Sequence, residues 1–171
     1  MPAFSIRPLT SHDRIWILQF ISEQWGSNII ISRGTFYTAD ALPGFIAVED
    51  GKRVGLITYH IQGNECEVVS VDSTRPGKGI GTALIDAVRQ EAQRTGCKRL
   101  WLITTNDNLT ALRFYQRHGF VLVAVHRNAI DEVSRKLKPQ IPLIGEHGIP
   151  IRDEIELEMP LNNGERKVSL S

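Results

Sequence analysis

The stretch from residue 68 to residue 84 constrains the fold of this 171-residue chain more than any other part of the sequence. It begins with β-branched residues that suit a buried strand, at Val68, Val69 and Val71. A basic, glycine-rich turn follows, and after Gly81 apolar residues recur at the spacing that lines one face of a helix. The sequence therefore predicts a strand, a tight turn and a helix in immediate succession.

The turn itself has the chemistry of an anion site. Its glycines, at positions 77, 79 and 81, lack the Cβ atoms that would hold a phosphate away from the backbone. The first N–H groups of a helix have no partner inside the helix, and the helix dipole favours negative charge there. Arg75 and Lys78 add positive charge. The turn predicts a diphosphate cradle; a plain strand-to-helix turn with an incidental lysine is the alternative.

Two well-known phosphate-binding loops do not fit this turn. A Walker A loop has Ser or Thr directly after Gly-Lys, whereas Lys78 is followed by Gly79. A dinucleotide-binding fingerprint would need a third glycine where Thr82 or Leu84 stands. The cradle therefore belongs to neither class.

Composition indicates an ordinary globular chain. A hydrophobic share of 42% and a charged share of 23% suit one domain over residues 1–171, with residues 162–171 expected to be a flexible tail. The net charge of +1 gives no general attraction to nucleic acid or to anionic membranes. Cys66 and Cys97 are isolated, so we expect neither a metal site nor a disulfide framework. No membrane span and no signal peptide are recognisable, which predicts a cytoplasmic protein.

The patterns around the turn predict a mixed sheet. Asp50-Gly51 separates two strand-like runs and predicts a hairpin, and strand and helix patterns alternate afterwards. This order is typical of an α/β or α+β fold with its antiparallel strands first. We expect residues 26–41 to form a short helix or loop, residues 129–137 to be helical and residues 154–159 to form the last strand.

Two segments resemble the GNAT superfamily of N-acetyltransferases. The turn Pro76-Gly77-Lys78-Gly79-Ile80-Gly81 resembles its acetyl-CoA motif. A downstream segment resembles the second signature of the superfamily: Asn108-Leu109-Thr110-Ala111-Leu112-Arg113-Phe114-Tyr115 together with His118-Gly119-Phe120. Two ordered motifs are more specific than either alone. The resemblance implies a GNAT-like acyl-CoA N-acyltransferase fold, with a mixed central sheet of about seven strands flanked by helices.

The resemblance also implies roles for individual residues. The pyrophosphate of acetyl-CoA, the co-substrate, would be bound by the backbone N–H groups of Gly77, Lys78, Gly79, Ile80, Gly81 and Thr82. Backbone groups of Val69 and Val71 would pair with the pantetheine arm, and the Val71 N–H would lie near the thioester carbonyl. Asn108 would contact the same arm, and Tyr115 would protonate the departing thiolate.

One position departs from the superfamily pattern. The place of its glutamine or arginine is taken by Pro76, which has no N–H to donate, and the arginine stands at Arg75 instead. We expect either a slightly reshaped anion site or an arginine that reaches the phosphates from outside.

A general base is expected on the strand before the turn. Glu65 and Glu67 point to the same face of a regular strand, and Glu67, nearer the reaction centre, is the candidate. A solvated strand face is the alternative, and His60 and His126 are alternative bases.

The long insertion before the last strand is expected to shape the acceptor pocket. Its charged residues could bind an amino acid-like acceptor or could be solvated surface: Arg127, Arg152, Asp153 and Glu154. The sequence predicts transfer of an acetyl group to a primary amine of a small molecule by direct attack. Transfer to a protein or peptide, transfer of another acyl group, and a non-catalytic acyl-CoA sensor are the alternatives. Nucleic acid and membrane partners are not expected, and a homodimer is left open.

Overall fold

The computed structural model describes residues 3–161 of the chain, and the tail expected at residues 162–171 lies outside them. The strands are β1 Ser5–Pro8, β2 Ile29–Ser32, β3 Thr35–Thr38, β4 Gly44–Glu49, β5 Lys52–Gln62, β6 Glu65–Ser73, β7 Arg99–Thr105, β8 Val121–His126 and β9 Glu154–Pro160. The α-helices are α1 Arg14–Trp25, α2 Ile80–Arg94, α3 Leu109–Arg117 and α4 Arg135–Leu137, the last preceded by a π-helical turn at Ile130–Ser134. No helix in this described part is long and apolar enough to cross a membrane.

The prediction of a mixed seven-stranded sheet flanked by helices is confirmed. The strand order is β1-β4-β5-β6-β7-β9-β8. Strands β6 and β7 run parallel, and the other neighbours in this sheet are antiparallel. The predicted Asp50-Gly51 turn joins β4 to β5, and both of its residues have the positive φ that such a turn needs.

The expectation of a short helix or loop over residues 26–41 is wrong. Strands β2 and β3 form a separate antiparallel hairpin there. Its two-residue turn, Arg33-Gly34, has φ values of 49° and 76°, which suits the twist of a hairpin. The strands are only four residues long, so the β-branched isoleucines of β2 gave no alternating pattern long enough to recognise.

Helices cover both faces of the sheet. The core under α2 contains the fully buried Leu84 and Val88, and the core under α1 contains Ile17 and Ile21. Each helix buries an apolar stripe against strands that would otherwise expose β-branched side chains to water. Strand β6, at the centre of the sheet, contributes side chains to both cores.

Strand β6 contains a bulge, and the bulge lies next to Val71, where the sequence predicted the reaction centre. Thr58 pairs with Ser70 and Tyr59 pairs with Val68, which leaves Val69 as the extra residue. Val69 therefore packs in the core under α1, whereas Val71, two residues later, packs against the core under α2. Because of the bulge, residues 69 and 71 point to opposite faces of the sheet, whereas in a regular strand they would point to the same face.

A buried carboxylate joins β1, β5 and the start of α1. Asp13 is fully buried and accepts two hydrogen bonds from Arg7, each of 2.8 Å, and one of 2.9 Å from Arg53 Nε. The backbone N–H of Thr10 donates a further bond of 2.8 Å. The hydrogen bonds from Arg7 outweigh the opposing effect of burial and hold the pKa of Asp13 well below its usual range.

Replacing Asp13 with asparagine is expected to destabilise the fold by about 2–4 kcal/mol at pH 7, because two guanidinium groups lose their counter-charge. Since the folded pKa of Asp13 is depressed, its stabilisation is complete above the unfolded pKa of about 3.9 and is lost as the pH falls toward the folded value. Urea unfolding should therefore show a smaller gap between wild type and variant at pH 3 than at pH 7. Asp86→Asn, at a half-exposed helix position, is the control and should change stability by less than about 0.5 kcal/mol. An equal gap at both pH values would contradict this account.

Candidate active site

The turn after β6 uses its glycines for two different reasons. Gly77 and Gly79 have φ values of +80° and +78°, a conformation that other residues adopt only with strain. Gly81 has an ordinary backbone, but a Cβ there would lie 3.3 Å from Phe114 Cζ of α3. The first two glycines therefore shape the turn, and the third lets α2 and α3 pack closely.

The start of α2 has unpaired backbone donors, as predicted. The first intrahelical bond runs from the Ala83 N–H to the Gly79 carbonyl, at 3.1 Å. The N–H groups of Ile80, Gly81 and Thr82 precede it and have no partner within the helix. These residues line a cavity of about 630 Å³ between the turn and α3. Positive partial charge at a helix N-terminus thus borders a space large enough for an extended anionic ligand.

The basic residues around this cavity are not all where the sequence predicted them. Arg75 lines the cavity, but its guanidinium donates to Glu49 Oε2 at 2.7 Å. Lys78 is exposed and is not among the lining residues. Arg117, at the end of α3, does line the cavity. Sequence reasoning missed Arg117 because only the packing of α3 beside the turn brings it there.

A histidine fixes the position of α3 relative to α2. The His118 Nδ1 lies 2.7 Å from the Phe114 carbonyl, and its Nε2 lies 2.9 Å from Thr82 Oγ1. Because a carbonyl oxygen can only accept, Nδ1 carries the proton, and in the neutral ring Nε2 accepts from the Thr82 hydroxyl. This contact leaves the backbone N–H of Thr82 available to a ligand.

The sheet opens between its two parallel strands. Strands β6 and β7 pair only up to Glu67 and Trp101, although β6 continues to Ser73 and β7 to Thr105. Beyond that pair the facing edges have no strand partner, so their backbone donors and acceptors are available to a ligand. We call this gap the strand opening.

The backbone N–H of Val71 points into the strand opening. On the other side of β6, the Thr74 N–H donates to the Val54 carbonyl at 2.8 Å. Hydrogen-bonded and non-hydrogen-bonded pairs alternate along an antiparallel ladder, so the Ile57–Val71 pair is of the second kind. The N–H of Val71 therefore points away from β5, toward β7.

Helix α3 brings Tyr115 to the same cavity. Its ring packs edge-on against Phe114 and Phe120, with centroids 5.4 Å and 5.5 Å away. Its hydroxyl makes no hydrogen bond to any described residue, so it is available to a ligand. Burial raises the pKa of Tyr115, with a smaller contribution from the charge of Asp72, so the phenol stays protonated at neutral pH.

Asn108 lies where the cavity meets the other face of the sheet. Its Oδ1 accepts the Ala111 N–H at 3.1 Å and caps α3, as predicted. Its amide nitrogen has no partner within residues 3–161 and remains a free donor. One side chain thus both starts the helix that carries Tyr115 and borders both cavities.

A hydrogen bond between Asp72 and Trp25 joins strand β6 to the end of α1. The indole Nε1 of Trp25 donates to Asp72 Oδ2 at 2.7 Å. Burial raises the pKa of Asp72 to about 6, and this hydrogen bond partly opposes the increase. The sequence did not predict this contact, because it joins positions 47 apart.

A second cavity, of about 220 Å³, lies on the α1 face of the sheet. It is bounded by α1, β2, the open edges of β6 and β7, and the insertion at 127–153, and half of its lining side chains are aliphatic. It shares Asn108 with the first cavity. The two cavities therefore approach each other through the strand opening from opposite faces of the sheet.

Glu67 lies beneath this second cavity. It is 2% exposed, and its two carboxylate oxygens accept from Ser32 Oγ at 2.8 Å and from the Tyr37 hydroxyl at 3.0 Å. Burial raises the pKa of Glu67 against these two hydrogen bonds, and the charge of Glu154 raises it further. Glu65, by contrast, is half-exposed and pairs with Arg99.

Glu154 is the carboxylate that lines the second cavity. Its oxygens accept from the backbone N–H of Arg33 at 3.2 Å and from the Arg33 guanidinium at 3.4 Å. Because Ser32 and Arg33 are consecutive, the end of β2 holds Glu67 and Glu154 next to each other. Two buried carboxylates thus lie close to the strand opening.

The second cavity is not lined by the other three residues that the sequence grouped with Glu154, namely Arg127, Arg152 and Asp153. Asp153 is buried and accepts from the Arg152 guanidinium and from the Asn128 N–H, which fixes the insertion to the sheet. Arg127 is exposed. Of the four residues that the sequence grouped together, Glu154 alone lines the second cavity.

The two histidines considered as bases lie elsewhere. His60 packs beside Tyr37, with ring centroids 5.5 Å apart. His126 Nε2 lies 3.0 Å from Glu156 Oε1. Neither ring borders the two cavities. Among the described residues, no group of three His, Cys, Asp or Glu side chains is placed to hold a metal ion.

Comparison with known proteins agrees with this geometry. Residues 13–120 match the model of the acetyltransferase (GNAT) family. The chain is 48% identical over 141 residues to the uncharacterised protein YdhI of Bacillus subtilis, which covers 81% of this chain and 87% of the relative. It is 39% identical to the spermine/spermidine N(1)-acetyltransferase of the same organism, but only over 51 residues, 29% of this chain and 34% of that enzyme.

Solved structures share the whole fold at low sequence identity. A GNAT family acetyltransferase from Elizabethkingia anophelis with acetyl-CoA bound superimposes with a TM-score of 0.67, at 19% identity, over 94% of this chain and all of that one. YncA of Salmonella typhimurium, described as a putative acetyltransferase with its cofactor acetyl-CoA, gives a TM-score of 0.68 at 17% identity, over 96% and 97%.

Proposed function

We propose that this chain, which belongs to the acetyltransferase (GNAT) family, is an acetyl-CoA-dependent N-acetyltransferase that acts on the primary amine of a small molecule. The observation that carries the proposal is the strand opening, which joins a helix-capped anion cradle on one face of the sheet to a second cavity on the other. A thioester in the opening can then be reached by an amine from the opposite face.

The residues around the first cavity fit acetyl-CoA. The N–H groups of residues 77–82 would hold the pyrophosphate at the α2 N-terminus. The pantetheine arm would lie along the open edge of β6 at Val69 and Val71, with Asn108 as a further donor. Arg75 or Lys78 could approach the phosphates only as flexible outer cations, since Arg75 is paired with Glu49 and Lys78 is exposed. Backbone N–H groups, rather than basic side chains, would therefore provide most of the binding to the pyrophosphate.

The acceptor amine needs a base. A primary amine has a pKa of about 10, so it is mostly protonated at neutral pH and cannot attack. Ser32 lines the acceptor cavity and donates to Glu67, so its hydroxyl can take a proton from the ammonium group while passing its own to the carboxylate. Glu67 is thus proposed as the general base, acting through Ser32.

Two donors act on the thioester. The Val71 N–H points into the strand opening and would stabilise the negative charge that develops on the carbonyl oxygen, an effect of about 2.7–4 kcal/mol for a single such donor. The Tyr115 hydroxyl, kept protonated by burial, would donate its proton to the sulfur as the C–S bond breaks. As the amide forms, its nitrogen loses a second proton, which restores the Tyr115 hydroxyl, and the products are the N-acetylated amine and the free thiol of CoA.

Replacing Glu67 with glutamine is expected to remove the inflection of the rate profile at the pH where the carboxylate titrates. The wild-type kcat/KM should rise with pH as Glu67 loses its proton, at a pH above the usual range for glutamate because its pKa is raised. The variant should be slower and should lack the inflection that the carboxylate causes in that range. Glu65→Gln, on the same strand but half-exposed, is the matched control and should keep the wild-type profile. An unchanged profile in Glu67→Gln would move the base elsewhere.

The proposed activity is tested by thiol release. Purified protein is mixed with acetyl-CoA and a panel of amines, amino acids and peptides, and free thiol and the acetylated product are measured. We expect release that depends on a small primary amine. Release with peptides but not with small amines would favour protein N-acetylation, and turnover of another acyl-CoA alone would change the donor. Tight CoA binding without any turnover would favour a non-catalytic sensor.

Two further expectations belong to this proposal. A cytoplasmic location stays a prediction from the sequence. A homodimer stays a prediction; β8 lies at the sheet edge and exposes apolar side chains that a second copy could cover, at Val121, Leu122, Val123 and Val125. No feature of the described residues calls for nucleic acid or a membrane.

A further inference from the structure

The acceptor cavity has opposite charges at its two ends. Strand β2 runs along it, and the end at Ser32 and Arg33 holds the carboxylates of Glu67 and Glu154. At the other end, Lys138 Nζ donates to the backbone carbonyl of Ile29, at 3.2 Å. Lys138 and Glu154 are the charged side chains among those that line this cavity.

The end of the cavity at Lys138 has hydrogen-bond donors that are not used by residues 3–161. Lys138 has three ammonium protons and makes one hydrogen bond to the described residues. Ser134 lies one helical turn before it and also lines the cavity. Its hydroxyl is buried, and within residues 3–161 it has no hydrogen-bond partner. A buried hydroxyl without a partner is unfavourable, and a ligand oxygen at this end would accept its hydrogen bond.

The wall between the two ends is apolar. It is formed mainly by isoleucines from β2, from β7 and from the insertion, namely Ile30, Ile31, Ile103, Ile130, Ile141 and Ile151. Branched aliphatic side chains of this kind favour an apolar body on the ligand and offer it no hydrogen bonds.

From this arrangement we infer that the acceptor is an apolar α-amino acid. Its ammonium group lies at the strand opening beside Glu154 and the Ser32–Glu67 pair. Its side chain packs on the isoleucine wall, and its carboxylate is bound by Lys138 and Ser134. The inference rests on the proposed acetyltransferase function and names the substrate class of its acceptor site.

The dimensions agree with such a ligand. From Ile29 to Ser32 is three residues along a strand, about 10 Å. An α-amino acid places its nitrogen and its far carboxylate oxygen about 4 Å apart. With a hydrogen bond of about 2.8 Å at each end, the distance between the protein groups that bind it is also about 10 Å. A volume of about 220 Å³ also suits a side chain such as that of leucine rather than a long chain.

The same arrangement disfavours two other acceptors. A polyamine would place a second positive charge against Lys138, with no second carboxylate at that end. Burial already lowers the pKa of Lys138, and among residues 3–161 no carboxylate forms an ion pair with its ammonium group. An amine without a carboxylate would leave the hydroxyl of Ser134 unpaired.

The test compares leucine with 3-methylbutylamine, which is leucine without its carboxylate, and with leucinamide and spermidine. In steady-state assays with acetyl-CoA, we expect kcat/KM for leucine to exceed that of each of the others by about 10- to 100-fold, the range of a charge-assisted pair. Lys138→Met should raise the KM for leucine and remove its advantage over 3-methylbutylamine. Lys136→Met, at an exposed position of the same segment, is the matched control and should leave leucine turnover unchanged.

The outcomes separate the two proposals. If 3-methylbutylamine or spermidine is acetylated as well as leucine, the inferred acceptor is wrong while the acetyltransferase function stands. An unchanged leucine preference in a folded Lys138→Met variant would also overturn the inference. The comparison of leucine with leucinamide needs no variant and decides the role of the carboxylate even if Lys138→Met does not fold. If no amine or amino acid releases thiol, it is the proposed function that fails.

Discussion

Replacing Gly79 with aspartate is expected to weaken CoA binding at least 100-fold, the largest effect of any single change considered. Gly79 caps α2 with a φ of +78°, which an aspartate adopts only with strain of about 1–2 kcal/mol. The new carboxylate would also lie beside the N–H groups that the pyrophosphate needs. Two negative charges would then compete for one helix N-terminus. Calorimetric titration with CoA measures the loss.

Gly63 provides a matched control that tests whether the position of the new aspartate matters. Gly63 lies in the turn between β5 and β6, at the opposite end of β6, with a φ of +60° and no atom within 4 Å of an added Cβ. Gly63→Asp therefore adds the same charge and similar strain away from the cradle. We expect it to bind CoA as wild type does. A folded Gly79→Asp variant with a normal isotherm would remove the cradle from the account.

The second large effect is expected at Tyr115. Replacing it with phenylalanine should lower kcat about 100-fold, because the thiolate would leave without its proton donor. The affinity for CoA should change little, since the Tyr115 hydroxyl makes no hydrogen bond within the described residues and the ring keeps its contacts with Phe114 and Phe120. For the same reason the variant should fold normally. Single-turnover rates and CoA titrations together measure the separation of kcat from binding.

Tyr59 provides the control for this change. It is a buried tyrosine of β5 that belongs to the core under α2 and lines neither cavity. Tyr59→Phe removes a hydroxyl of the same kind and should leave kcat close to the wild-type value. If Tyr115→Phe keeps full turnover, the proton must come from another group or from water.

The sequence predicted the parts of the site that depend on local chain geometry. Glycines at positions 77 and 79 are needed wherever a strand turns this sharply into a helix, and their φ values bear this out. Asn108 marks the start of α3 by the same local logic, because a side-chain oxygen one turn ahead caps the first N–H groups. The seven-stranded sheet followed from the order of strand and helix patterns together with the resemblance to a family.

The parts that the sequence did not predict depend on contacts between distant residues. Glu67 was chosen as a base, but its partners Ser32 and Tyr37 lie 35 and 30 positions away, in a hairpin that was not predicted. The contact between Arg33 and Glu154 spans 121 positions. Such pairs form only when the insertion and the β2–β3 hairpin pack over the sheet, and no local pattern encodes them. The acceptor cavity is therefore visible only in the folded chain.

The bulge in β6 is an intermediate case. The β-branched valines predicted a strand, and a regular strand would place Val69 and Val71 on the same face. The extra residue at Val69 puts them on opposite faces and leaves the Val71 N–H directed at β7. A propensity scale cannot locate such a bulge, because it is set by the pairing with β5.

A crystal structure of the chain with acetyl-CoA tests the central claim most directly. The account predicts the pyrophosphate within about 2.7–3.2 Å of N–H groups in residues 77–82 and the acetyl group in the strand opening. It also predicts the thioester carbonyl oxygen on the Val71 N–H and the sulfur beside the Tyr115 hydroxyl. A cofactor bound elsewhere on the chain, or β6 and β7 paired beyond Glu67 and Trp101 so that the opening is closed, would contradict it.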